Sequence, residues 1–88
     1  SYNETNVSEV PVGAIEILSG QQPIMELTTK LSEYLEKGIQ SYWLVLPELK
    51  SIYVFHNAKD SLVFGRNDLL KDEVLDIELD LKKIFEGM

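Results

Sequence analysis

A single amphipathic helix set between two short apolar runs does most to fix what this chain can become. Residues 12–18 read Val-Gly-Ala-Ile-Glu-Ile-Leu, too short for a helix and rich in β-branched residues, as suits a buried strand. Ser19-Gly20-Gln21-Gln22-Pro23 breaks that run, and Pro23 suits a helical first turn because the amide hydrogen it lacks would have no partner there. Ile24, Leu27, Leu31, Tyr34 and Leu35 then recur at helical spacing, with Glu26, Lys30, Glu33 and Lys37 on the other side and its border. Gly38 closes the helix, and Tyr42-Trp43-Leu44-Val45-Leu46 forms a second buried-type strand stopped by Pro47. The resulting unit is strand, helix, strand, with the helix folded back over its own strand.

Residues 51–56 and 61–66 continue as two short strands, joined by a link of hairpin length, Asn57-Ala58-Lys59-Asp60. With residues 42–46 they make an antiparallel meander. Residues 67–73 mix Leu69 and Leu70 with charges and fit a loop or one helical turn equally. Beyond them Leu75, Ile77, Leu79 and Leu81 alternate with Asp76, Glu78 and Asp80, the period of a half-buried strand with an acidic outer face. Asp80 is placed to cap a short C-terminal helix over residues 81–85, with Gly87 past its end. Residues 1–10 show no periodicity and read as a flexible arm, which leaves residues 11–88 as one domain. The fold class is α/β in the broad sense, an α+β mixed sheet.

Composition narrows the function classes. Eight Lys and Arg against 15 Asp and Glu give a formal net charge of −7, a surface that repels phosphate backbones at long range. With no cysteine and one histidine, disulfide scaffolds and the usual zinc ligand sets are excluded within one chain. No apolar run approaches the roughly 20 residues of a membrane helix, and the start does not read as a signal peptide, so the expected setting is cytoplasmic, away from membranes.

Taken one by one, most polar candidates have an ordinary explanation. His56 follows an apolar strand and precedes a turn, a common place for a structural histidine. Tyr42, Trp43, Tyr53 and Phe55 lie in strands without interleaved basic residues, so they read as core or subunit contacts rather than base-stacking platforms. Asp72, Glu73, Asp76, Glu78 and Asp80 lack the glycine turn of a calcium loop and read as a solvated acidic face. Ser19-Gly20 lacks the downstream residues of a phosphate loop. Lys30 stands four residues after Glu26, the spacing of a helical surface pair. It also borders the apolar stripe, from which its stem can reach a carboxylate on the neighbouring strand. Glu16 is the one charge in its strand, sharing a face with Ala14 and Leu18.

The order of these pieces is more specific than any one of them. Pro-Val-Gly-Ala-Ile-Glu-Ile-Leu-Ser at residues 11–19, then Lys30 with Tyr34, then Gly-Ile-Gln-Ser-Tyr-Trp-Leu-Val-Leu-Pro at residues 38–47, resemble the C-terminal half of the Uma-type restriction endonuclease family, a PD-(D/E)XK nuclease-like group. The resemblance covers about residues 11–86. It implies a restriction-endonuclease-like core in a mixed sheet flanked by helices, hydrolysis of DNA phosphodiesters, and a magnesium ion held by carboxylates. Carried onto this chain, Glu16 matches the strand carboxylate that holds metal, and Lys30 matches the catalytic lysine displaced from the strand onto the helix. Val12 and Leu46 stand where many members have aspartate, and the earlier strand and helix with further acids would lie before Ser1. The chain thus reads as about half of a member, inactive alone, with weak DNA binding at most. The rival reading is a noncatalytic acidic interaction module. In either case, a sheet that has lost neighbouring strands is expected to form a homo-oligomer through its edge.

Overall fold

The computed structural model describes residues 10–18 and 24–87. The arm expected over residues 1–10, Val10 apart, and the break at residues 19–23 lie outside them. Strand β1 (Gly13–Ile17) is followed by helix α1 (Ile24–Glu36), then by β2 (Ser41–Leu46), β3 (Ser51–Phe55) and β4 (Ser61–Phe64). These strands form one sheet in the order β1-β2-β3-β4. β1 and β2 are parallel because a helix carries the chain back between them, whereas the tight links after β2 and β3 give antiparallel pairs. The expected strand–helix–strand unit and meander are therefore present in order.

A period of two divides the side chains between the sheet's faces. Glu16 pairs with Leu44, which pairs with Tyr53, and Ala14 pairs with Tyr42, which pairs with Phe55. Helix α1 covers this face with buried Leu27 and Leu31, two residues of the stripe read from the sequence. Gly38 ends α1 at φ 106°, a left-handed conformation that favours glycine. Trp43, Ile52 and Val54 project from the opposite face into a second core.

That second core is closed by a two-stranded antiparallel sheet, β5 (Leu69–Asp72) with β6 (Ile77–Asp80), and by helix α2 (Leu81–Phe85). Leu70, Leu81 and Phe85 are buried in it, and Asp80 caps α2 by accepting from the Lys82 amide at 3.1 Å. Residues 67–73, which sequence left between loop and helical turn, contain a strand because alternate positions face a core (Leu70, Asp72) and solvent (Leu69, Lys71). The alternating segment that follows forms a shorter strand, with Leu75 in the preceding turn. Leu75 instead lies over Gly13: a Cβ there would stand 2.9 Å from both Leu75 methyl groups. Glycine therefore lets the hairpin approach β1.

Coverage of the sheet is uneven. Among the described residues β1 pairs on one side only, and on its face away from α1 Ile15 is 57% and Ile17 63% exposed. No helix of the described residues is long and apolar enough to cross a membrane.

Candidate functional site

Glu16 lies in β1 beneath α1, so its carboxylate points at the helix rather than into solvent. Lys30, in the second turn of α1, reaches down to it, and its Nζ donates to Glu16 Oε2 at 3.1 Å. The two residues that family resemblance singles out are thus brought together from 14 positions apart. Helical spacing alone offered Glu26 as the partner of Lys30; the observed hydrogen-bonded partner is Glu16. That hydrogen bond, followed by the carboxylate's charge, holds the Lys30 ammonium above its ordinary value of 10.5. Lys30 is consequently cationic throughout neutral pH, half-exposed beside a carboxylate that is also partly open to solvent.

Two tyrosines lie on the same side of the sheet as this pair. Tyr34 follows Lys30 by one helical turn, and its ring meets that of Tyr42 edge-on at 5.5 Å between centroids. Tyr42 is 1% exposed, and its hydroxyl has no hydrogen-bond partner among the described residues. Burial, then the nearby Glu16 carboxylate, then Tyr34, push the Tyr42 hydroxyl up to about 12, so it stays a neutral donor. Farther along the same face, Leu27, Leu31, Leu44 and Phe55 line an apolar groove that offers little to an ion.

On the opposite side, a cluster that sequence reasoning missed surrounds Asp72. Expected on a solvated acidic face, Asp72 is 1% exposed, whereas Glu73, Asp76, Glu78 and Asp80 are exposed as expected. Its Oδ2 accepts from Ser41 Oγ and, at 2.6 Å, from Trp43 Nε1. Oδ1 accepts from the amides of Val74 and Leu75 at 2.9 and 3.2 Å and pairs with His56 Nε2 at 3.1 Å. Burial pushes the carboxyl up, but the bonds from Ser41, Trp43, Leu75 and His56 together outweigh it and hold Asp72 down at about 2. The signal was its step of two from Leu70, which places both on the inner face of β5. Ser41 and His56 each bond to Asp72, and Ser41 is buried. The group therefore ties the hairpin to the sheet and makes no serine nucleophile, whose hydroxyl would have to donate to the histidine. His56 keeps the structural role read from its sequence position.

A divalent cation of the magnesium type needs several oxygen ligands. Glu16 is one carboxylate, already engaged by Lys30, and among the described residues no three His, Asp or Glu side chains gather as a metal would require. The residues at Glu16 do not by themselves fit magnesium. They do fit recognition of an anionic oxygen, for which a protonated, partly exposed lysine is a ready donor.

The chain as a whole is similar to known nuclease-like proteins. The family model described as Uma2, putative restriction endonuclease, matches residues 2–82. Among solved structures, a putative nuclease of the DUF820 family from Anabaena variabilis is similar with a TM-score of 0.72 and 26% identity. The match covers 88% of this chain and 45% of that one; the chain spans under half the length of this neighbour. No curated protein matches.

Proposed function

This chain belongs to the Uma2 putative restriction endonuclease family, and on that footing we propose that residues 11–88 are a nuclease-like domain, cytoplasmic, contributing part of a phosphodiester-hydrolysis site whose substrate is DNA. The observation that carries the reading is the 3.1 Å contact between Lys30 Nζ and Glu16 Oε2. Lys30, kept protonated, is the group to steady a phosphate oxygen or an attacking water. Glu16 orients that ammonium by accepting its hydrogen bond. Among the described residues no further carboxylates join Glu16 to complete a metal site, and the chain spans under half the length of its structural neighbour. The 88-residue chain by itself is therefore expected to leave supercoiled plasmid intact in magnesium or manganese. Nicking that vanishes in Glu16→Ala would overturn that inactivity. The site itself is tested by titrating a labelled chain with a thymidine dinucleotide and following backbone amide resonances. Weak binding should shift β1 and α1 in the native chain and fail to do so in Lys30→Met; shifts unchanged in that variant would sink the assignment of Lys30.

A second reading rests on β1, whose outer edge has no partner among the described residues. Ile15 and Ile17 of this strand are more than half exposed and favour association of two copies through that edge, in an acidic module that need not be catalytic. Sedimentation at micromolar concentration is expected to give a mass above that of the 10.0 kDa chain, and Ile17→Lys should restore the single-chain mass. A clean 10.0 kDa species from the native chain contradicts self-association.

A further inference from the structure

The Tyr42 hydroxyl is a buried polar group of the described residues left without a partner. Leaving a donor unpaired away from water is costly, and phenylalanine would pack equally well without that cost. Tyr34 of α1 meets the ring edge-on and Phe55 of β3 lies beside it, 6.3 Å between centroids. In register, Tyr42 pairs with Ala14, and Glu16 lies two residues farther along β1 on the same face. The hydroxyl and the carboxylate therefore belong to side chains on one face of the sheet, and Glu16 is the neighbouring charge that acts most strongly on Tyr42. Lys30 occupies Oε2 of that carboxylate in the structure.

We propose that Tyr42 is a positioning residue of the Glu16–Lys30 site, whose hydroxyl takes over the Glu16 carboxylate when Lys30 leaves it for a phosphate oxygen. The phosphate part rests on the nuclease reading above; the exchange of partners does not. A neutral donor suits the task, since it holds the carboxylate in place without a second cation competing for the anion. Tyr42 acts through Glu16 and touches no substrate.

The test separates the two layers. Tyrosine labelled at Cζ gives one resonance for each of the four tyrosines, assigned by single Tyr→Phe variants. Lys30→Met, with Lys30→Gln as a second version, frees Glu16, and the Tyr42 signal is expected to move as its hydroxyl begins to donate. The same change made together with Glu16→Ala should leave the signal at its native position. A signal unmoved in both Lys30 variants, or moved equally without Glu16, overturns the proposal. Tyr42→Phe should melt at the native temperature or above, since it removes an unpaired hydroxyl, yet bind inorganic phosphate about tenfold more weakly, the effect of one charge-assisted hydrogen bond. Equal phosphate affinity in Tyr42→Phe and the native chain would overturn the positioning role. If the native chain binds no phosphate while the Cζ signal responds to Lys30→Met, the phosphate reading of the site fails and the partner exchange stands.

Discussion

Asp72→Ala is expected to cost about 3–5 kcal/mol and to lower the urea midpoint of unfolding sharply. The carboxylate receives the Ser41 hydroxyl, the Trp43 indole and the amides of Val74 and Leu75, with His56 beside them. Removing it strands several of those donors in the core at about 1–3 kcal/mol each, offset in part by the desolvation of the charge itself. A chain of this length has a total stability of roughly 4–13 kcal/mol, so the loss is a large fraction. Asp72→Asn should fall between, because one amide oxygen still accepts while the amide NH₂ faces donors. Urea unfolding followed by Trp43 fluorescence measures the difference, and an Asp72→Ala variant within 1 kcal/mol of native, on the order of an ordinary surface change, would show that the cluster does not hold the hairpin.

The same carboxylate makes the stability of the fold depend on acid. Its folded value, about 2, lies below the ordinary 3.8, so the ionised form is favoured by folding. The stability it contributes is complete above the unfolded value, and it is lost as pH falls from about 3.8 through about 2. The Asp72 Cγ resonance, followed through an acid titration, should turn over near the lower value.

Leu81→Ala is expected to lose about 2–5 kcal/mol, whereas Ile84→Ala three positions later should lose well under 1 kcal/mol. Both lie on α2, but Leu81 is 0% and Ile84 45% exposed. The lost transfer energy and the residual cavity arise only where surrounding atoms cannot close in, and Leu81 sits with Leu70, Trp43 and Phe85 in the second core. Equal losses in the two variants would show that α2 contributes helical structure rather than packing.

Wherever one face of an element is buried and the other is not, the sequence was enough. The α1 stripe of Leu27 and Leu31, the β2–β4 meander and the Asp80 cap express local patterning, and each forms where that patterning places it, whereas the run around Glu16, read as a buried strand, forms its strand with Ile15 and Ile17 exposed on the face that α1 does not cover. Local patterning also put Glu16 and Lys30 on the faces that meet, because a helix following its own strand has one covered face to return to. Residues 67–73 and Asp72 were beyond such reasoning. A charge between Leu70 and a turn looks solvated when only its neighbours along the chain are considered. Its donors Ser41, Trp43 and His56 lie 31, 29 and 16 positions away, and only packing the hairpin beneath the sheet brings them round it. The orphaned hydroxyl of Tyr42 belongs to the same class, since a tyrosine's need for a partner is written in its side chain, but whether one is within reach is decided by Tyr34 and Phe55 closing on its ring. Periodicity is a property of adjacent residues, whereas the pairing of buried polar atoms is a property of neighbours in space.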